Sequence, residues 1–348
     1  MTEDVHPHRT EISQYGEFGL IDLLTEKIIL RNPSSKIGIG DDAAVINYGD
    51  NDTLVTTDLL LEGIHFDLSY VPLKHLGYKA AVVNISDICA MNGRPRQLVV
   101  SIGLSKRFSV EDVAEIYQGL QAACDYYGVD LVGGDTSSSL TGLVLSLTCL
   151  GEVEKGKAVL RSGAKEHDLI CVSGNLGAAY MGLQLLEREK RVFQGEKDFN
   201  PDFEGKEYLL ERQLRPEARK DIVEKLAEMG IVPTAMMDIS DGLSSDILHI
   251  CKQSGCGCRI FEEKLPIDYQ TAALCEEMNM NLTTAALNGG EDYELLFTVP
   301  LSEHERIDAW KDVRIIGYIC RQEEGSRLMS RDGNEFDIIA QGWKHLED

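Results

Sequence analysis

Acidic residues recur where apolar runs end, each behind small or hydroxyl residues. The instances are Gly38-Ile39-Gly40-Asp41-Asp42, Thr56-Thr57-Asp58, Gly133-Gly134-Asp135-Thr136, Asp238-Ile239-Ser240-Asp241-Gly242 and Asn288-Gly289-Gly290-Glu291-Asp292. Asn84-Ile85-Ser86-Asp87 is a helical relative. Glycine lets backbone approach a ligand closely, and strand ends place side chains at the rim of a sheet, where α/β proteins bind ligands. Gly-Asp and Ser-Asp are also ordinary turn and cap sequences, and Asp241, ahead of a helical pattern, reads as an N-cap. Their recurrence in one chain points to a shared task. Carboxylates and hydroxyls are hard donors that suit magnesium or calcium rather than zinc. Magnesium completes its shell with water and phosphate oxygens, so the acids suggest a polyphosphate substrate carried on more than one magnesium ion.

The common nucleotide motifs are missing. There is no Gly-x-x-x-x-Gly-Lys-Ser/Thr and no protein-kinase set, and Gly38-x-Gly40 is too incomplete for a dinucleotide fingerprint. Gly174-Asn175-Leu176-Gly177 before a helix either offers N–H groups to an anion or is a plain strand-to-helix turn.

The elements that must carry these residues alternate, short apolar runs with helical stretches, as in an α/β or α+β protein. Periodicity predicts helices over 18–30, 76–91, 110–127, 216–229 and 242–253, and one opened by 174–177 and running to about 187. It predicts strands over 54–57, 97–104, 129–132, 142–153, 169–172, 235–239, 294–299 and 314–319. A basic, glycine-containing stretch at 155–168 separates two halves, so the expected domains are 1–154 and 155–348. Residues 188–206 read as a polar surface excursion. No tandem repeat stands out.

The 348 residues carry 34 basic and 58 acidic side chains, a net charge of −24, and are 43% hydrophobic. That is ample for a buried core and excludes a disordered tail protein. Phosphate backbones and anionic lipids would repel such a chain, so neither nucleic acid nor membrane is an expected partner. The polar N-terminal stretch lacks the apolar core of a signal peptide, and no run approaches the length of a membrane span. Nine scattered cysteines suit free thiols in a reducing cytoplasm, with Cys256-Gly257-Cys258 the only close pair.

In order along nearly the whole chain, 16–343, these strings resemble the thiamine-monophosphate kinase family. They run from Gly38-Ile-Gly-Asp-Asp42 through Thr57-Asp58, Ile64-His65-Phe66, Asn84-Ile-Ser-Asp87 and Gly133-Gly-Asp-Thr136. Leu160-Arg161-Ser-Gly, Asp238-Ile-Ser-Asp241-Gly-Leu and Gly289-Gly-Glu291-Asp-Tyr-Glu follow. The family is related to aminoimidazole ribonucleotide synthetase, selenophosphate synthetase and a hydrogenase-maturation protein, which use ATP without a P-loop. The resemblance implies two α/β domains of the aminoimidazole ribonucleotide synthetase-like fold. The first binds ATP and magnesium and pairs its sheet with a second copy in a barrel-like homodimer core; the second completes the ATP and substrate site. It implies phosphorylation of thiamine monophosphate to thiamine diphosphate, a step of thiamine diphosphate biosynthesis. By the same resemblance, Asp42, Asp58, Asp87, Asp135, Asp238 and Asp241 are magnesium ligands, and all but Asp238 are counted as catalytic. ATP contacts fall to Thr57, Tyr117, Gly134, Asp135, Arg161 and Ser240, and substrate contacts to His65, Glu291 and Trp343.

The chemistry suits these residues. A phosphate monoester has a second pKa near ~6, so the acceptor oxygen is already largely anionic at neutral pH. The obstacle is bringing two polyanions together, which cations and an arginine lower. Direct transfer without a phosphoenzyme follows, with His65 positioning rather than acting as an obligatory base. For single residues ordinary roles stay open: His65 as a partly buried imidazole, Trp343 as core filler rather than a ring stacked on thiamine, Glu291 as a turn carboxylate, Arg161 as a solvated charge. A selenophosphate or purine-pathway enzyme of the same superfamily is the alternative, although a reactive cysteine near the N-terminal end is lacking and Cys89 is the first. A non-catalytic nucleotide-binding protein is the third reading, and it would not need all six acids.

Overall fold

The computed structural model describes residues 10, 23–37, 45–46, 49–192 and 203–340. The chain divides into two compact units, 1–88 with 94–152, and 89–93 with 153–348.

In the first unit, β1 (Ser35–Ile37) pairs with β2 (Val45–Ile46). A four-stranded sheet is built from β3 (Asp52–Leu61), β4 (Arg94–Leu104), β5 (Asp130–Ser138) and β6 (Val144–Val153), in the order β3-β6-β4-β5. Helix α1 (Leu73–Ala90) precedes β4, and α2 (Val110–Tyr127) links β4 to its parallel neighbour β5. A parallel pair needs such a crossover. The ends of α2 are fixed locally. Ser109 Oγ accepts from the Asp112 N–H at 3.2 Å, the Asp112 carboxylate accepts from the Ser109 N–H at 2.7 Å, and Gly128 closes the helix at φ 69°. One face of α2, with Val113, Ile116, Leu120, Ala123 and Cys124, is buried. Helix α1 is buried almost all round from Leu76 to Ala90. The two helices touch backbone to backbone at Gly77 and Gly119. A Cβ on Gly119 would fall inside the Lys74 carbonyl and 2.7 Å from the Tyr78 nitrogen.

The second unit holds a mixed seven-stranded sheet. Its strands are β7 (Leu169–Ser173), β8 (Ala235–Asp238), β9 (Cys256–Phe261), β10 (Leu295–Val299), β11 (Val313–Arg321), β12 (Ser326–Met329) and β13 (Glu335–Asp337), in the order β13-β12-β9-β11-β7-β10-β8. Only β9 and β12 run parallel. Every residue of β7, β8 and β10 is buried. Helices α3 (Ala178–Val192), α4 (Glu207–Leu214), α5 (Lys220–Met229), α6 (Leu243–Ser254), α7 (Tyr269–Glu277), α8 (Leu282–Asn288) and α9 (His304–Asp308) surround it. Ile247, Ile250 and Leu243 of α6 pack with Ile170, Val172, Leu296 and Ile316 of the sheet in one cluster, and α3 packs Met181 and Leu185 against Leu209 in another.

The mixed α/β architecture and the helix over 110–127 are as expected. Several strands run further than predicted. Strand β3 continues to Leu61 and β5 to Ser138, so Asp58 and Asp135 lie inside strands rather than at their ends. The helix expected from 216 begins at Lys220, and α4 precedes it. Helix α3 extends to Val192, into the expected excursion, and 193–202 lie outside the described residues. All nine cysteines are free thiols. Among the described residues no helix is long and apolar enough to cross a membrane.

Candidate active site

The first unit brings two of the expected acids together. Asp58 sits on β3 and Asp87 on α1, where it is the single half-buried position in the buried run 76–90. Thr56 Oγ1 donates to Asp87 Oδ2 at 2.5 Å. Burial, and then the negative charge of Asp87, pushes the Asp58 carboxyl up to about 6. Asp58 Oδ2 is buried without a hydrogen-bond partner. A buried carboxylate facing another is the arrangement that a divalent cation relieves.

Asp135 stands apart from that pair. It lies on β5, beside Ser101 of β4, which in turn faces Ser146 of β6. Strands β5 and β3 are opposite edges of the sheet, three strand spacings or about 14 Å apart. Thr148 Oγ1 bonds Thr57 Oγ1 at 3.1 Å, which puts Thr57 on the solvent-facing side and, by alternation, Asp58 on the other. Thr57 Oγ1 also donates to the Leu147 carbonyl at 2.9 Å. The lack of a side chain at Gly134 is required by the sheet, because a Cβ there would strike the Val100 carbonyl. Tyr117 is on α2, and burial pushes its phenol up to about 12. His65 Nδ1 accepts from the Leu61 N–H at 2.9 Å, so the neutral ring carries its proton on Nε2.

In the second unit Asp238 closes β8 opposite Leu295, and Ser240 and Asp241 follow in a turn. The strap 289–294 clasps that turn. Glu291 N–H donates to the Ser240 carbonyl at 2.7 Å, Tyr293 N–H to the Ile239 carbonyl at 2.9 Å, and Ile239 N–H to the Glu294 carbonyl at 2.8 Å. Glu291 at φ 58° and Tyr293 at φ 53° adopt left-handed backbone, which costs non-glycine residues of order 1 kcal/mol each. Asp241 does not cap α6; Gly242 occupies that position and the Gly242 N–H is met by Asp246 Oδ2 at 3.2 Å. Asp246 is wholly buried, its Oδ1 has no partner, and burial followed by the charges of Asp238 and Asp241 holds its carboxyl well above the ordinary range. Arg161 is exposed and its charge acts on Asp246 in the opposite sense.

The acids of the strap are each held. Asp292 accepts from the N–H groups of Gly177 at 2.8 Å and Ala179 at 3.4 Å, so the turn 174–177 is a helix start filled by the chain's own carboxylate. Burial pushes Asp292 up to about 6 despite Arg212. Glu294 takes Ser173 Oγ at 2.5 Å, Arg212 at 3.0 Å, and Arg219. Glu291 Oε2 accepts from Gln213 Nε2 at 2.9 Å. Asp246, Gln213, Arg212 and Arg219 were not singled out from sequence. Only Asp246, an acid in the first turn of α6, left a local signal there. Asp42 and Trp343 lie outside the described residues.

Among the described residues no three His, Cys, Asp or Glu side chains are grouped to hold a metal ion. Magnesium needs no such protein cage, since one or two carboxylates plus phosphate oxygens and water suffice. The pair Asp58–Asp87, and Asp238 with Asp241 beside the unsatisfied oxygen of Asp246, fit that demand.

Residues 40–153 match the family of AIR synthase related protein, N-terminal domain, and 165–328 its C-terminal domain. The fold and the acid-rich turns thus define a two-domain protein of the AIR synthase related class. The chain is 39% identical to the thiamine-monophosphate kinase of Aquifex aeolicus (strain VF5) over 335 residues, covering 96% of this chain and 99% of that one. It is 34% identical to that of Bacillus subtilis (strain 168), covering 95% and 99%. The chain belongs to the thiamine-monophosphate kinase family. Among solved structures, AaThiL complexed with AMPPCP and TMP superposes with a TM-score of 0.73 at 37% identity, covering 96% and 98%. The enzyme from Stenotrophomonas maltophilia K279a gives 0.77 at 30%, covering 96% and 100%. Hydrogenase maturation protein HypE, at 18% identity and a TM-score of 0.74, shares the fold.

Proposed function

We propose that this chain transfers the γ-phosphoryl group of ATP to the phosphate of thiamine monophosphate, giving thiamine diphosphate, by direct in-line displacement with several magnesium ions. The observation that carries the reading is the Asp58–Asp87 pair, with its buried unsatisfied oxygen, in a chain related over its whole length to thiamine-monophosphate kinases. Asp42, Asp58, Asp87 and Asp135 of the first unit and Asp238 and Asp241 of the second are the proposed ligands. Bound magnesium would neutralise phosphate charge and hold the in-line geometry. Asp135, at the other edge of the sheet from Asp58, would serve a separate ion, since magnesium ligands sit about 2.1 Å from the metal.

Thr57, Tyr117, Gly134, Ser240 and Arg161 serve ATP in this reading. His65, its Nδ1 held by the Leu61 N–H, would position the substrate rather than take its proton. Glu291 and Trp343 meet the thiamine rings. The solvent-facing side of β3 exposes Val55 at 64% and Leu59 at 52% beside Thr57, an apolar edge suited to a second copy of the chain, so the working unit is a homodimer. The place of action is the cytoplasm, in keeping with nine free thiols.

The test is ATP consumption with a panel of phosphate acceptors and identification of the product by mass. Thiamine diphosphate from thiamine monophosphate is expected, and Asp87→Asn should abolish most of it without loss of fold. No thiamine diphosphate from the parent protein removes the reading.

A further inference from the structure

The chain between β6 and β7 carries Arg161 in an exposed position, yet its main chain there is fastened along its length. The Leu160 carbonyl accepts from the Met236 N–H of β8 at 2.9 Å, and the Lys165 N–H donates to Asp168 Oδ2 at 2.9 Å. One hydroxyl holds the residues between. Ser254 Oγ accepts from the N–H groups of Gly163 at 3.1 Å and Ala164 at 3.2 Å, and it donates to the Arg161 carbonyl at 3.4 Å. A serine hydroxyl offers one donor and two acceptor positions, and all three are used on this segment.

The surroundings fit this clasp. Gly163 has φ 121°, and a Cβ there would fall 2.4 Å from the Thr234 carbonyl, so the segment passes close to the chain entering β8. Ala164 is buried in the core cluster that also holds Ile247 and Ile250 of α6. Ser254 is the last residue of α6, and Gly255 at φ 65° ends the helix. The main chain of Arg161 is thus tied to the C-terminal end of α6. Its charge reaches Asp246, in the first turn of the same helix and about 12 Å nearer the acidic turn 238–241. A guanidinium is a planar fork of N–H donors suited to phosphate oxygens, carried on a long and mobile stem. Fixing the main chain beneath it removes freedom that a bound phosphate would otherwise have to take up.

We infer that Ser254 is a positioning residue for ATP, its hydroxyl fixing the main chain under Arg161 and so setting affinity for ATP but not for thiamine monophosphate. The inference rests on the reading of Arg161 as an ATP contact. No sequence pattern announces it, because Arg161 and Ser254 are 93 positions apart.

The experiment measures dissociation constants by calorimetry on the full chain, for the non-transferring analogue AMPPCP with magnesium, and for thiamine monophosphate at saturating AMPPCP and magnesium. The variants are Ser254→Ala, which loses the hydroxyl, Ser254→Thr, which keeps it, Arg161→Ala, and the double variant of Ser254→Ala with Arg161→Ala. Ser254→Ala should weaken AMPPCP about ten-fold, the order of the freedom of one backbone residue. Ser254→Thr should stay within about three-fold of the parent. Thiamine monophosphate should stay within about two-fold throughout, and the double variant should bind AMPPCP no more weakly than Arg161→Ala alone. If Ser254→Thr does not fold, Ser254→Ala and the double variant decide. Unchanged AMPPCP affinity in Ser254→Ala with a clear loss in Arg161→Ala overturns the inference and leaves the role of Arg161 standing. Additive losses, equal weakening of both ligands, or a folded Ser254→Thr as weak as Ser254→Ala also overturn it. Unchanged AMPPCP affinity in Arg161→Ala removes the reading of Arg161, and the inference with it.

Discussion

Replacing Asp58 by asparagine should stabilise the metal-free protein while disabling it. The Asp58 carboxyl is raised from 3.8 to about 6, first by burial and then by Asp87. At about 1.4 kcal/mol per pH unit, that rise corresponds to about 3 kcal/mol. In the unfolded chain the proton leaves near pH 4; in the folded protein it stays until about 6. Between those values the folded state binds more protons, so stability falls as pH rises through the window and is level above it. Asparagine has no proton to lose and keeps the shape. The melting temperatures of Asp58→Asn and the parent, measured by calorimetry in a chelating buffer, should agree near pH 4 and diverge to a limit by pH 8. For a unit of this size about 3 kcal/mol is roughly 6–12 °C, an upper bound given partial exposure. Added magnesium should raise the parent's melting temperature more than the variant's, since the ion offsets the charge that asparagine lacks. A variant that melts below the parent at pH 8 without metal, or a difference that does not vary with pH, would refute the account of Asp58 as a strained carboxylate.

Two further substitutions probe the scaffold. Glu294→Ala leaves the guanidinium groups of Arg212 and Arg219 without their shared carboxylate in a buried setting, and should cost about 3–5 kcal/mol in urea unfolding; a loss under about 1 kcal/mol would show that the triad is not stabilising. Gly119→Ala forces α1 and α2 apart at the Lys74 carbonyl, and should cost about 3 kcal/mol or prevent folding; near-parent stability would mean that the helices can separate freely.

Where the controlling interactions are local, sequence and structure agree. The helix over 110–127 is fixed by Ser109, Asp112 and Gly128, all within a turn of its ends. Strand β3 reads as short in the sequence because Asp58 and its neighbours break the apolar run; the edge position leaves Asp58 partly open, and it is held there at a cost, since burial and the facing Asp87 both disfavour its charge. The acidic turns were legible as chemistry because their residue types are unusual together. Their supports were not. Gln213, Arg212 and Arg219 act on a strap about 80 positions away, through contacts that no local pattern encodes. The role proposed for Asp241 as a cap failed for a related reason: the open N–H of Gly242 is met by Asp246 from within the helix, a choice made by side-chain burial rather than by propensity.

The seating of Asp292 on the first amides of α3 has a consequence for turnover. A free helix start is a resting place for stray anions, and a diphosphate product is one. Here that berth is already taken by a covalently tethered guest. A departing diphosphate finds no competing harbour in this turn, and inorganic phosphate added to the medium has nothing there to block.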